Sequence, residues 1–186
     1  MSHVVEARTE EDVELLRRAQ DEPVGEAFRA LYERHAPSVL AFLVGLTGDR
    51  ALADDLLQET FFRVHQHLDR FDPSRAFRPW LLQIARNAAL NALRSRKKAV
   101  ADGAERAAAD RVPSQAAAAE ARAVTRAALD ALEDDERALL LQRHGLGLSL
   151  EALAESWGCT DRTIRNRLHA AADSLLRALL ARGGRK

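Results

Sequence analysis

Apolar residues recur at three- and four-residue spacing along nearly the whole chain, and β-branched residues never alternate in period two. A backbone patterned this way hides its apolar surface by packing amphipathic helices on one another, so an all-α fold is predicted. Glycine and proline, 9 and 5 in 186 residues, are scarce enough to act as punctuation. They divide the chain into helices over about 10–20, 26–46, 50–68, 77–96, 114–132, 134–144, 149–157 and 160–181. Pro37 is expected to kink or restart the second of these. Thr47-Gly48-Asp49 reads as a C-cap glycine followed by an N-cap, and Phe71-Asp72-Pro73-Ser74 as a turn.

Between Lys97 and Ala123 the pattern lapses: 12 of the 25 residues from 99 to 123 are alanine, with Gly103 and Pro113 interrupting. The expectation is two small helical domains, 10–98 and 122–182, joined by a flexible Ala-rich linker over 99–121. Cys159 is the only cysteine, which excludes an intrachain disulfide and a Cys-rich zinc site and suits a reducing compartment. No stretch reaches the about 18 apolar residues of a membrane span. The acidic first twenty residues lack the apolar segment of a secretory signal, so a cytoplasmic protein without membrane insertion is expected.

The net charge of zero conceals sorting. Residues 1–74 carry 8 basic and 15 acidic groups, 75–98 carry 7 and none, 99–135 carry 4 and 8, and 136–186 carry 9 and 5. Two cationic blocks suit a polyanion, and two acidic ones repel it or meet a basic partner.

Three stretches carry the chemistry. From Ser149 to Leu168, a short helix capped by Ser149 ends at Gly158 and Thr160 caps a second, the pattern of a helix-turn-helix. Ile164, Leu168, Ala171 and Leu175 make one stripe of the second helix. Arg162, Thr163, Arg165, Asn166, Arg167 and His169 are left to read bases and hold phosphates. The helix from Phe77 buries Leu81, Ile84, Ala85, Ala88 and Ala92 and turns Gln83, Arg86, Asn87, Arg94 and Lys97 to the far side, with Arg78 at its start and no acid among them. Phe77 and Trp80 beside that stripe read as core rather than as strand-melting aromatics. On the helix from Arg50, Leu52, Leu56, Thr60 and Val64 face inward, whereas Asp55, Gln58, Glu59, Phe62, His65 and Gln66 share the outer face. An exposed phenylalanine among carboxylates points to protein docking. His65 and His67 point about 200° apart on a helix, and with no nucleophile elbow or phosphate loop the chain offers no catalytic residue, metal site or cofactor.

Read together, these stretches resemble the extracytoplasmic-function (ECF) sigma factors of bacterial RNA polymerase. Asp54-Asp55-Leu56-Leu57-Gln58-Glu59-Thr60-Phe61 is similar to the family's region 2.2. Phe77 to Asn87 with Leu93 to Lys98 is similar to regions 2.3 and 2.4, Leu132 to Leu175 to region 4, and Phe28, Leu31, Tyr32 and His35 to region 2.1. The resemblance implies a non-catalytic initiation factor that binds core RNA polymerase through the β′ clamp helices and β flap, reads promoter DNA, and is controlled by an anti-sigma partner. It assigns polymerase docking to Asp55, Gln58, Glu59 and Phe62. It gives the minus-ten element to Arg78, Gln83, Arg86, Asn87, Arg94 and Lys97, with the loop 71–76 capturing a flipped base. The minus-thirty-five element falls to Arg162, Thr163, Arg165, Asn166, Arg167 and His169.

The chain departs from the family pattern after His169. Ala170, Ala172 and Asp173 stand where cations are usual, and Glu133 replaces a proline. A stand-alone helix-turn-helix repressor, with a two-fold symmetric site, is the alternative on the residues alone.

Overall fold

The computed structural model describes residues 10–22, 25–102 and 116–183, with side chains omitted for 116–122 and 183. Eight α-helices are present among the described residues: α1 (Glu10–Asp21), α2 (Glu26–Thr47), α3 (Arg50–His67), α4 (Phe77–Ala101), α5 (Ala116–Leu129), α6 (Asp134–Leu140), α7 (Leu150–Trp157) and α8 (Asp161–Gly183). The all-α expectation holds.

In the N-terminal unit α1 to α4 wrap one apolar core. Leu16 and Ala19 of α1 are buried, and Gln20 Nε2 donates to the carbonyls of Leu68 (2.8 Å) and Phe71 (2.7 Å), tying α1 to the chain after α3. Helix α2 runs on through Pro37 without a restart, which excludes one of the two outcomes expected there. A proline inside a helix removes one rung and costs about 3 kcal/mol. Here Leu31, His35, Val39, Phe42, Leu43 and Leu46 are buried on both sides of it, and that burial outweighs the loss. The predicted caps are present: Gly48 closes α2 at φ 69°, its N–H donating to Val44, and Asp49 accepts from Leu52 N at 3.1 Å to open α3.

After a 3₁₀ turn at Leu68–Arg70, Asp72 accepts from Ser74 N (2.8 Å) and bends the chain into α4. Helix α4 continues to Ala101, past the Arg96 end expected from its pattern. Residues 99–101 of the expected linker are therefore helical, its last residues open α5, and 103–115 lie outside the described residues, as does the expected start of the fifth helix at Ser114.

In the C-terminal unit α5 and α6 pack on α8. Helix α6 runs into a π turn at Leu141–Gly145, where a helix to His144 was expected. Ser149 caps α7 through Ala152 N (3.1 Å), Gly158 closes it at φ 60°, and Thr160 accepts from Thr163 N (3.2 Å) to start α8. The two units are not separate bodies: Ala85, Ala88 and Ala89 of α4 belong to the same apolar cluster as Leu148, Leu153, Ala154 and Ile164.

Candidate functional site

Three surfaces were expected, and the fold treats them differently. On α3, burial of Leu56, Thr60 and Val64 sends the opposite face to solvent. Asp55, Gln58 and Phe62 are exposed there, Phe62 to 60%. Glu59 is half-buried and pairs with Arg63 at 2.5 Å. Beside them Tyr32 is 38% exposed and packs its ring on Phe61, 4.6 Å between centroids. His65 is drawn out of this face, edge-on to Phe28 at 5.5 Å. The patch therefore combines acid with an aromatic apex, and fully burying a phenylalanine against a partner contributes about 1.5–3 kcal/mol.

On α8, Ile164 and Ala171 are fully buried, and Arg162, Arg165, Asn166, Arg167 and His169 are exposed, with Thr163 half-buried at the capped end. The turn into this helix is shaped as a helix-turn-helix requires, with a left-handed glycine between α7 and α8. The positions of the missing cations, Ala170, Ala172 and Asp173, are all exposed, and Ala170 also lines a cleft facing α4.

On α4 the expectation of an open far side fails in part. Asn87 and Arg94 are exposed, but Arg86 is 7% exposed, because α7 lies over it. Its Nη2 donates to the Ser156 carbonyl at 3.1 Å and its guanidinium stacks 4.1 Å from the centre of the Trp157 ring. Arg78 donates to the Leu146 carbonyl at 2.9 Å, and Lys97 pairs with Asp134 at 2.8 Å. Arg75, in the loop before α4, donates through Nε to Glu155 at 2.7 Å, and Gln83 lines the crevice between that loop and Ser156. Burial pushes the Arg86 guanidinium down to about 10, still protonated at neutral pH. Phe77 is buried and Trp80 half-buried, stacked on Phe71 at 4.6 Å, as a core role requires.

The chain matches the family models for Sigma-70 region 2 over residues 31–99 and Sigma-70 region 4 over residues 122–175. It is 36% identical to the ECF RNA polymerase sigma factor EcfG of Rhodopseudomonas palustris, over 79% of this chain and 82% of that one. It is 33% identical to the ECF RNA polymerase sigma factor SigL of Mycobacterium tuberculosis, over 79% and 85%. The chain belongs to the ECF sigma factor family. Among solved structures, the sigma factor RpoE of Bartonella quintana, in complex with the anti-sigma factor NepR, superposes with a TM-score of 0.69. That match is 26% identical and covers 83% of this chain and 98% of that one. CnrH, solved with the cytosolic domain of CnrY, shares the fold at a TM-score of 0.72 and 24% identity, over 92% and 99%.

As a sigma factor the chain binds core RNA polymerase and directs promoter-specific initiation. No helix among the described residues is long and apolar enough to cross a membrane. Sequence reasoning missed Tyr32 as part of the α3 face, and it missed the partners of the cationic α4: Ser156, Trp157, Glu155, Leu146 and Asp134. Nothing in the spacing of two distant segments announces that one covers the other. The one local hint was Trp157, a large aromatic at the end of a short helix with a cationic residue as its cover.

Proposed function

We propose that α3 carries the sigma factor onto core polymerase, α4 reads the minus-ten element, and α8 reads the minus-thirty-five element. Docking rests on Asp55, Gln58, Glu59 and Phe62, which meet the β′ clamp helices, while the 122–182 unit meets the β flap. Downstream reading rests on Arg78, Gln83, Arg86, Asn87, Arg94 and Lys97, with base capture in the loop 71–76. Upstream reading rests on Arg162, Thr163, Arg165, Asn166, Arg167 and His169. The protein performs no covalent chemistry and acts in the cytoplasm. Its mechanism is energetic: polymerase holds the two reading units at a fixed separation, which raises their effective concentration on DNA. An anti-sigma protein controls it, a reading supported by the sigma–anti-sigma pair among its structural neighbours.

The observation that carries the docking assignment is Phe62, 60% exposed at the centre of an acidic helix face. Reconstituted transcription with core polymerase and a promoter library tests the whole reading. Asp55→Ala, Glu59→Ala and Phe62→Ala together weaken core binding at least about tenfold while circular dichroism stays unchanged. Unchanged affinity would remove the docking assignment. Exchanging Arg162 and Asn166 shifts upstream preference, and exchanging Asn87 shifts downstream preference; a library profile indifferent to these changes would show the reading faces misplaced.

A further inference from the structure

We infer that the cleft lined by α4, α6, α7 and α8 is a binding site for a small nucleotide with at least two phosphates, held by Arg94 and Arg167 in the field of Arg86, with its nucleoside against Asp135 and the apolar lining.

The cleft encloses about 540 Å³, within the about 300–1,000 Å³ that small-molecule sites occupy. Arg86, Arg94 and Arg167 all line it, and none of the three makes an ion pair among the described residues. Arg86 is 7% exposed, and its Nη1 has no hydrogen-bond partner. Arg86 and Arg167 stand 4.1 and 5.9 Å from the centre of the same Trp157 ring. Burial is the main cause of the lowered Arg86 pKa; Asp135 opposes it and the charge of Arg167 adds to it. Cations held together without a counter-ion are unfavourable, and an incoming anion relieves them. A recess with low-dielectric walls also focuses their field on such an anion. Arg94 and Arg167 are exposed, one on α4 and one on α8. A guanidinium fork pairs bidentately with phosphate, so two forks on two helices suit two phosphates of one ligand.

The rest of the lining argues against a bare anion. Helix α6 brings Asp135 and Glu136 to the same space, where carboxylates repel phosphate. Glu136 is committed within the fold, accepting from Ser174 Oγ at 2.9 Å and from Glu133 N at 3.4 Å. Asp135 is exposed and makes no hydrogen bond or ion pair among the described residues, which leaves it to accept from a ribose hydroxyl or a base amine. Leu90 and Leu139 add apolar surface that a bare phosphate cannot use. A ligand anionic at one end, with a partly apolar body and hydrogen-bond donors at the other, satisfies the whole lining, and a nucleoside diphosphate is such a molecule.

Arg94 and Arg167 are assigned above to promoter DNA, so the test is made on the full chain without DNA and reads the ligand directly. Calorimetric titration with ADP or GDP should show one saturable site per chain. In Trp80→Phe, Trp157 is the only tryptophan, and its emission should change over the same titration; calorimetry on the wild type answers alone if that variant does not fold. Arg94→Gln and Arg167→Gln should each weaken binding at least about tenfold, as loss of a charge-assisted hydrogen bond does, with unchanged circular dichroism. Arg177→Gln removes an exposed cation of α8 that does not line the cleft and should leave binding unchanged. Pyrophosphate should bind at least about tenfold more weakly than the nucleotide, and Asp135→Asn should narrow that gap by tightening pyrophosphate and loosening the nucleotide. Neither heat nor emission change at millimolar nucleotide would overturn the site. Equal losses in Arg167→Gln and Arg177→Gln would overturn it by showing diffuse attraction to charge, and pyrophosphate bound as tightly as the nucleotide would overturn the role given to the nucleoside.

Discussion

His35 shows how one side chain is committed by its surroundings. It is 6% exposed in α2, edge-on to Phe77 at 5.2 Å. Its Nε2 lies 3.5 Å from Asp12 without a hydrogen bond. Burial lowers its pKa, outweighing the nearby Asp12 carboxylate, and Arg34 and Arg78 add to the lowering. A histidine with a depressed folded pKa contributes stability above its unfolded value of about 6.5, and that contribution is lost as pH falls below it. The urea midpoint should therefore fall between pH 7.5 and 5.5, and His35→Gln should flatten that slope; an identical slope in the variant would assign the titration elsewhere. At this scale the sequence was informative about type and poor about role. Phe62 was legible as exposed because it is apolar on the wrong side of a stripe. Arg86 was not legible as buried, because arginine on the polar side of a stripe reads as solvated until a distant segment is known to cover it.

At the scale of elements, caps and turns were the most legible features because they are local. Gly48, Asp49, Ser149, Gly158 and Thr160 all act where the spacing put them. Asp49 does more than cap: its other carboxylate oxygen takes Arg96 of α4 at 3.0 Å, joining the start of α3 to a helix 47 residues on. Burial works against its charge, but the bonds from Leu52 N and Arg96 prevail and hold its pKa below the usual range. Asp49→Ala should cost about 1–2 kcal/mol by urea unfolding, the upper range for a cap, and Arg96→Ala should recover most of the non-cap share in a double-mutant cycle. Where the sequence left an element open, tertiary burial decided it, as in the passage of α2 through Pro37 without a restart. Recognition by α8 follows from what that helix lacks. Ala172→Arg places a cation on an exposed position. It should steepen the salt dependence of upstream promoter binding by about one unit of log–log slope. An unchanged slope would mean that position 172 faces away from the backbone.

The whole molecule was the least legible level. Composition and periodicity divide the chain into two domains, and the matched regions agree with that division, yet the apolar cluster runs through both. Contact between segments 60 to 80 residues apart leaves no periodic trace, which is why the sequence leaves open whether the two domains pack together, and the structure joins them. A shared core should make wild-type unfolding a single calorimetric transition in which the calorimetric and van't Hoff enthalpies agree. A divided wild-type endotherm would contradict the seam.

Arg86 under Trp157 has a consequence for life inside a bacterium. With that one cation covered and Arg94, Arg162, Arg165 and Arg167 exposed, the chain keeps a salt-sensitive grip on any duplex it meets, so the choice of a start site has to come from base edges rather than from charge.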